Sequence, residues 1–273
     1  MAGSTARDPV GRALDLLTWL AENGTDGPLG VREIARGMGT SPTTVHRLLQ
    51  AFEERSLVRR DDQGSYYGGL ELVRLGRLAS RFSVQAAGRP VLEKLAADVD
   101  ETSMLGLLDP RRGELMLVDC VQTSHPLRYV VELHTWRPLW AGAAGLGVLA
   151  FLEDGERARL LREHPPQPVT EHTLPTAEAV EEFCARARGQ GYVLTRGQRT
   201  PGAVGVAAPI RDADGRVVGD VCLTVPDNRF RESDEQRYAT ALTSAADDAS
   251  AILAAAGYRL ATATLDLGAR ARP

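Results

Sequence analysis

Apolar residues recur at helical spacing through the first third of the chain and then give way to alternating and continuous runs. Val10, Leu14, Leu17, Leu20 and Ala21 predict a helix from Val10 to Glu22 with that set as its buried side. Asn23 to Pro28 is dense in breakers and reads as a loop. Ile34, Ala35 and Met38 give an apolar side to a short helix over Val31 to Gly39, with Gly30 at its N-cap and Glu33 three residues on in a weak capping arrangement. Ser41 is a good N-cap and Pro42 fits a first helical position, so a further helix runs from there to Arg55. Val45, Leu48, Leu49 and Phe52 form its apolar stripe, and Thr43, His46, Arg47 and Gln50 fall on the opposite face. Two helices joined by the Gly39-Thr40-Ser41 connection make a helix-turn-helix. Leu57 to Arg60 and Ser65 to Gly68 then flank Asp61-Asp62-Gln63-Gly64 as a hairpin, which turns the motif into a winged helix-turn-helix.

From Leu70 to about Ala97 the pattern is helical again, with a break near Ser83. Leu70, Val73, Leu75, Leu78 and Phe82 are more apolar than a free connector needs, so this stretch is expected to bury surface against a second subunit. Beyond Asp98 strands appear. Met104 to Leu108 and Glu114 to Val121 flank a turn at Asp109 to Gly113, and Leu127 to Leu133 is expected as a third strand. Helices are expected over Ala143 to Leu152, Gly155 to Glu163 and Ala177 to Gly189, the last stopping at Gly191. Tyr192 to Thr195, Ala203 to Ile210 and Val217 to Val225 read as strands, the last two joined by the hairpin turn Arg211 to Gly215. Ser233 is expected to cap a long helix to about Ala256. The class is α+β: a winged helix-turn-helix domain over 1–69, a helical linker and dimer-contact region over 70–97, a mixed α/β sensor-like domain over 98–256 and a poorly packed tail over 257–273.

The chain has 273 residues, enough for two such domains, and a net charge of −4. That balance argues against a blanket polyanion binder. Any DNA contact must come from a local cluster, and Arg47, Arg55, Arg59 and Arg60 supply one. No apolar run reaches the length of a membrane span, and the N-terminal residues lack the apolar core of a signal peptide. The three cysteines, Cys120, Cys184 and Cys222, are odd in number and widely spaced, which points to a reducing cytoplasm.

These motifs resemble the isocitrate-lyase-regulator (IclR) family of transcription factors over almost the whole chain. Arg12-Ala13-Leu14, Val31 to Gly39, Thr43 to Leu49 and Leu57 to Tyr67 are similar to its winged helix-turn-helix. Arg89 to Ala96, Pro126-Leu127-Arg128, Ala143-Ala144-Gly145, Gly191-Tyr192 and Ala207 to Ile210 are similar to its effector domain. The resemblance implies dimers or tetramers on palindromic operators, a GAF-like effector-binding domain, and no catalysis. Ser41, Thr43, Thr44, His46, Arg47, Gln50, Arg59 and Arg60 are then the DNA-contacting set. Trp140, Ala141, Gly142, Ala143, Thr195, Gly205, Cys222 and Thr224 are the effector-contacting set.

The chain departs from the family pattern in places. Pro42 stands where a basic residue is frequent. Trp140-Ala141-Gly142-Ala143-Ala144-Gly145-Leu146 replaces a His-Ala-Thr-Ala-Ala-Gly-Lys run, Thr195 replaces an Asp and Gly205 a Cys. Cys222 and Thr224, two apart on a strand, keep a small polar pair on one face. With Gly205 enlarging the cavity and Trp140 as an apolar wall, the effector is expected to be a carboxylate larger and less polar than a two- or three-carbon keto acid. The backbone N–H groups leading into the Ala143 helix would hold its anionic end.

Other signals carry less. Gly145-Leu146-Gly147-Val148-Leu149-Ala150 fits G-x-G-x-x-A, but a dinucleotide site also needs a preceding buried strand and an acidic residue ending a second one, and Glu163 lies in a helical stretch instead. His125, His134, His164 and His172 show no metal-ligand spacing, and no cofactor is called for. Two alternatives stand beside the effector-controlled regulator: a DNA-binding regulator without ligand control, and an enzyme built on the sensor-like fold.

Overall fold

The computed structural model describes residues 8–24, 27–79 and 84–259. They form two compact units, 1–83 and 84–273. In the first, α1 (Pro9–Asn23), α2 (Val31–Gly37) and α3 (Pro42–Glu53) are followed by the short strands β1 (Val58–Arg60) and β2 (Tyr66–Gly68) and by α4 (Leu70–Ala79). Leu16, Ile34, Val45, Leu49, Val58 and Tyr66 make the core. The buried side of α1 is not the one its first apolar stripe suggests. Leu16 is fully buried, with Ala13, Leu17, Trp19 and Leu20 beside it, while Val10 and Leu14 are 67% and 59% exposed. The stripe through Val10 and Leu14 belongs to the far side of the helix.

The turn between α2 and α3 is held by backbone alone. Thr40 N–H donates to Ala35 O at 3.0 Å and Gly39 N–H to Arg36 O at 3.2 Å. Gly39 takes φ +59° between them, the left-handed C-terminal cap that glycine adopts without strain. Gly30 occupies the N-cap of α2, but no side chain caps that helix, so Glu33 closes no capping box there. At the wing, Leu29 and Tyr66 exchange backbone hydrogen bonds of 3.1 and 2.9 Å, so the end of the α1–α2 loop adds a bridge to the hairpin.

The second unit is a six-stranded antiparallel sheet in the order β5-β4-β3-β8-β7-β6, built from β3 (Thr102–Asp109), β4 (Glu114–Val121), β5 (Trp136–Pro138), β6 (Val193–Arg196), β7 (Ala203–Arg211) and β8 (Val217–Pro226). α5 (Val84–Val99) and α9 (Glu235–Ala255) cover one face; Leu92, Leu95, Leu242 and Leu253 meet Leu105, Val206, Ala208 and Leu223 there. α6 (Gly142–Leu149), α7 (Asp154–Glu163) and α8 (Ala177–Gln190) cover the other, where Leu146, Leu160 and Val180 meet Leu115, Ala207 and Cys222. Val206, Ala207 and Ala208 thus alternate between faces, as the two-residue period of a strand requires. α5 is a core helix of this unit, so the stretch read as a linker divides, with α4 in the first unit and α5 in the second. Residues 80–83 and 260–273, with the expected break at Ser83, the apolar Phe82 and most of the tail, lie outside the described residues.

Three local expectations are corrected. Leu127 to Leu133 is not a strand. Leu127 and Val130 are 59% and 89% exposed, the stretch has no ladder partner, and the edge strand forms later as β5. Ser233 lies inside a 3₁₀ turn (Glu232–Asp234), and α9 starts after Asp234 with no side-chain cap. The small-residue helix begins at Gly142 and ends at Leu149.

Asp220 of β8 is fully buried, and neither carboxyl oxygen has a hydrogen-bond partner among the described residues. It occupies a notch that two glycines leave open. A Cβ on Gly106 would collide with one oxygen, and a Cβ on Gly147 would come within 3.0 Å of the other. Burial pushes its pKa far above the usual carboxylate range, so the folded chain holds Asp220 protonated. The folded-state value exceeds the unfolded one, so the protonated acid is tolerated below the usual carboxylate range, and stability is lost as pH climbs above it. Asp220→Asn removes that loss. In urea unfolding, the variant's advantage over the parent should widen steadily with rising pH; parallel pH profiles would contradict a protonated Asp220.

Candidate functional site

Two regions carry the chemistry, one in each unit. In the first, Ser41 caps α3: Thr44 N–H donates to its Oγ at 3.2 Å, and the Ser41 and Thr44 hydroxyls are 2.8 Å apart. The two hydroxyls therefore hold the start of the helix, and Thr44 is half-buried. Val45, Leu49 and Phe52 are buried, which leaves Thr43, His46, Arg47 and Gln50 exposed together on the outer face. At the wing, Arg59 lies over the Tyr67 ring at 4.6 Å and Arg60 over the Tyr66 ring at 5.7 Å. Asp61 shapes the turn between them, accepting from Ser65 N–H at 2.8 Å and Gln63 N–H at 3.0 Å; the Ser65 bond first of all holds its carboxyl below the usual range. The result is a polar helix face with hydroxyl, imidazole, guanidinium and amide groups, and a wing bearing two guanidiniums.

In the second unit a cavity of about 110 Å³ opens at the N-terminus of α6. Seven of the expected residues line it: Ala141, Gly142 and Ala143 at the helix start, Thr195 on β6, Gly205 on β7, and Cys222 and Thr224 on β8. Trp140 does not. It is buried in the core beneath α6, and the aromatic residue at the cavity is Tyr129, whose hydroxyl donates to Pro201 O at 3.2 Å. Tyr129, Val130 and Val131 belong to the stretch expected as a strand. It forms the outer wall instead and is tied down by Arg229, which donates to Leu127 O at 3.0 Å and to both Glu101 oxygens at 2.6 Å.

Gly205 plays a different part from the one expected. A Cβ there would lie 2.6 Å from the Ala143 Cβ and 3.2 Å from Thr195 Oγ1, so the missing side chain lets α6 approach the sheet rather than opening space for a ligand. Gly142, at φ +77°, meets the Arg199 stem in the same way. The G-x-G-x-x-A match has a packing explanation too: Gly145 touches the Pro138 and Leu139 carbonyls and Gly147 touches Ala207. Burial raises the Cys222 thiol well above its usual range, so it faces the cavity as a neutral thiol.

Family models match both units. Residues 9–62 match the IclR helix-turn-helix domain, and residues 77–251 match the C-terminal domain of bacterial IclR transcriptional regulators. The chain belongs to the IclR family of transcriptional regulators. It is 30% identical over 242 residues to the HTH-type transcriptional regulator BhcR of Paracoccus denitrificans, covering 88% of this chain and 85% of that one. A crystal structure of a putative IclR regulator from Silicibacter sp. TM1040 superposes with a TM-score of 0.78 at 25% identity, covering 90% of this chain and 96% of the other. An IclR homologue from Microbacterium hydrocarbonoxydans, crystallised with 4-hydroxybenzoate, has the same fold, with a TM-score of 0.75 at 23% identity over 89% of this chain and 99% of that one. This IclR protein thus carries the family's helix-turn-helix DNA-binding domain. Among its described residues no helix is long and apolar enough to cross a membrane, and no cluster of three or more His, Cys, Asp or Glu could hold a metal ion.

Polar side chains at the cavity that the sequence reading does not reach include Arg137 on β5, and Gln198, Arg199 and Thr200 in the turn after β6. Arg137 stands alone as a charge between the apolar Leu133 and Leu139. Gln198 and Arg199 sit in a polar loop with no periodicity, and only the pairing of β6 with β7 brings that loop to α6.

The contact at Gly205 is testable. Gly205→Ala should push α6 off the sheet and destabilise the second unit by about 1–3 kcal/mol, the usual range for overpacking. An unchanged denaturant midpoint would mean that α6 is not held at this distance.

Proposed function

We propose that this regulator reads an inverted-repeat operator as a dimer or tetramer, through α3 and the wing, and that a small organic acid bound at the α6 cavity modulates its DNA affinity. The observation that carries the DNA half is the outer face of α3. Its four polar side chains are exposed together while the opposite stripe is buried, as a helix entering the major groove requires. Thr43, His46, Arg47 and Gln50 are assigned to base edges and phosphates, Ser41 and Thr44 to the helix start against the backbone, and Arg59 and Arg60 to phosphates flanking the wing.

Assembly is supported by apolar side chains that the first unit leaves uncovered. Val10 and Leu14 on α1, and Leu70 and Val73 on α4, are all more than half exposed. A second copy covering them would space two recognition helices for two half-sites. The effector half rests on the cavity and on the family. The Microbacterium relative holds 4-hydroxybenzoate, and a compact acid suits a cavity of about 110 Å³, somewhat below the roughly 150 Å³ that accepts a benzene. We read the protein as a non-catalytic cytoplasmic regulator, in keeping with relatives such as BhcR and with a cavity thiol held protonated.

Genome-wide mapping of bound sites would supply the operator for binding assays. Arg47→Ala should weaken binding there by about 1–3 kcal/mol if the guanidinium reads a guanine, with the loss concentrated at one base position; if it meets phosphate, the salt slope should drop by about one. Unchanged affinity and salt slope would remove Arg47 from the interface. For assembly, Leu14→Glu combined with Val73→Glu should shift the sedimentation coefficient toward the monomer while leaving the far-ultraviolet circular dichroism intact. A double variant that sediments like the parent would place the subunit contact elsewhere.

A further inference from the structure

The cavity is lined by two guanidiniums and no carboxylate. Arg137 donates one hydrogen bond, from Nη2 to Glu132 O at 2.8 Å, and its Nε is buried with no partner among the described residues. Arg199, its stem packed against Gly142 at the start of α6, makes no hydrogen bond or ion pair among the described residues. Burial holds the Arg199 guanidinium below its usual range, and the charge of Arg137 beside it acts in the same direction; Glu132 opposes them more weakly. Two like charges brought together in a partly desolvated cavity stand only if something else offsets their repulsion. The N-terminus of α6, which no side chain caps, adds a third positive element.

Gln198 supplies the complementary observation. It is 8% exposed, it lines the same cavity, and its Oε1 is buried with no donor among the described residues. The cavity therefore holds donors lacking an acceptor and an acceptor lacking a donor, while Met104, Leu117 and Val131 add apolar wall beside the hydroxyls of Thr195, Thr200 and Thr224.

Resting on the reading of this cavity as the effector site, we infer that Arg137, Arg199 and Gln198 set its ligand class: a compact hydroxy acid. The carboxylate lies between the two guanidiniums, in the geometry that Arg favours for carboxylates. The hydroxyl donates to Gln198 Oε1. An acid without the hydroxyl leaves that oxygen unpaired, and a site built around a ligand hydroxyl discriminates strongly against the analogue lacking it. An amine or a neutral molecule of the same size leaves both guanidiniums facing each other.

The test uses the full-length protein and two probe pairs that differ by one hydroxyl: butyrate against 3-hydroxybutyrate, and benzoate against 4-hydroxybenzoate. Binding is followed by titration calorimetry at fixed ionic strength, since salt screens charge. In at least one pair the hydroxylated acid should bind tenfold or more tightly than its partner. Arg137→Ala and Arg199→Ala should each weaken that acid at least tenfold, and Arg199→Gln, which keeps the bulk and loses the charge, should do the same. Gln198→Leu should abolish the preference within the pair. Operator binding without acid serves as the check on folding. Acids that bind equally with and without the hydroxyl, or whose binding survives loss of either arginine, overturn the assignment while leaving the cavity an effector site. No binding by any of the four acids overturns the effector reading and the assignment together.

Discussion

The contact between α6 and the sheet is the constraint on which the second unit turns. α6 is buried nearly all round, and it lies close to the strands because glycine stands at each crowded point. Gly145 passes the carbonyls of Pro138 and Leu139, Gly147 rests on Ala207, and Gly205 receives Ala143. A Cβ at any of the three would come within 2.7 Å of its nearest neighbour. This proximity sets the helix N-terminus at the mouth of the cavity, shapes the notch that holds Asp220, and fixes where Arg199 can run. Close packing of this sort converts a change of one methyl group into a shift of a whole element.

The same contact shows what the sequence makes legible and what it hides. Largely apolar runs over Ala203 to Ile210 and Val217 to Val225, with a turn-forming run between them, predict the β7–β8 hairpin, and they are apolar on both faces because helices cover both. The apolar stripe of α3 predicts its exposed face for the complementary reason: one side packs and the other does not. Family resemblance then marks seven of the residues at the cavity. Arg137, Gln198 and Arg199 remained hidden, because strand order and loop closure bring them together and none of the three lies in a periodic segment.

Read from sequence, Trp140 and Gly205 are substitutions acting on a ligand, one by adding a wall and the other by adding room. In the structure Trp140 fills core beneath α6, and Gly205 is occupied by Ala143. Side-chain volume read off a sequence does not say which neighbour claims the space. Val10 and Leu14 mislead in a related way: a helix with two apolar faces offers two stripes, and only packing tells which one enters its own unit. Leu127 to Leu133 has strand composition but no neighbour, and a strand without a ladder partner is only an extended loop.

The turn between α2 and α3 has a consequence for how such a protein can change over generations. Its geometry rests on Gly39 at φ +59° and on two backbone hydrogen bonds, and the start of α3 rests on Ser41 and Thr44. The side chains at 43, 46, 47 and 50 contribute nothing to either, being exposed on the far side from the core. The attitude of the helix is thus inherited separately from the letters it displays. Substitutions on that face are nearly free of folding penalty, since surface changes away from caps and cores move stability by about half a kcal/mol or less. A lineage can drift from one target sequence to another without passing through an unfolded intermediate.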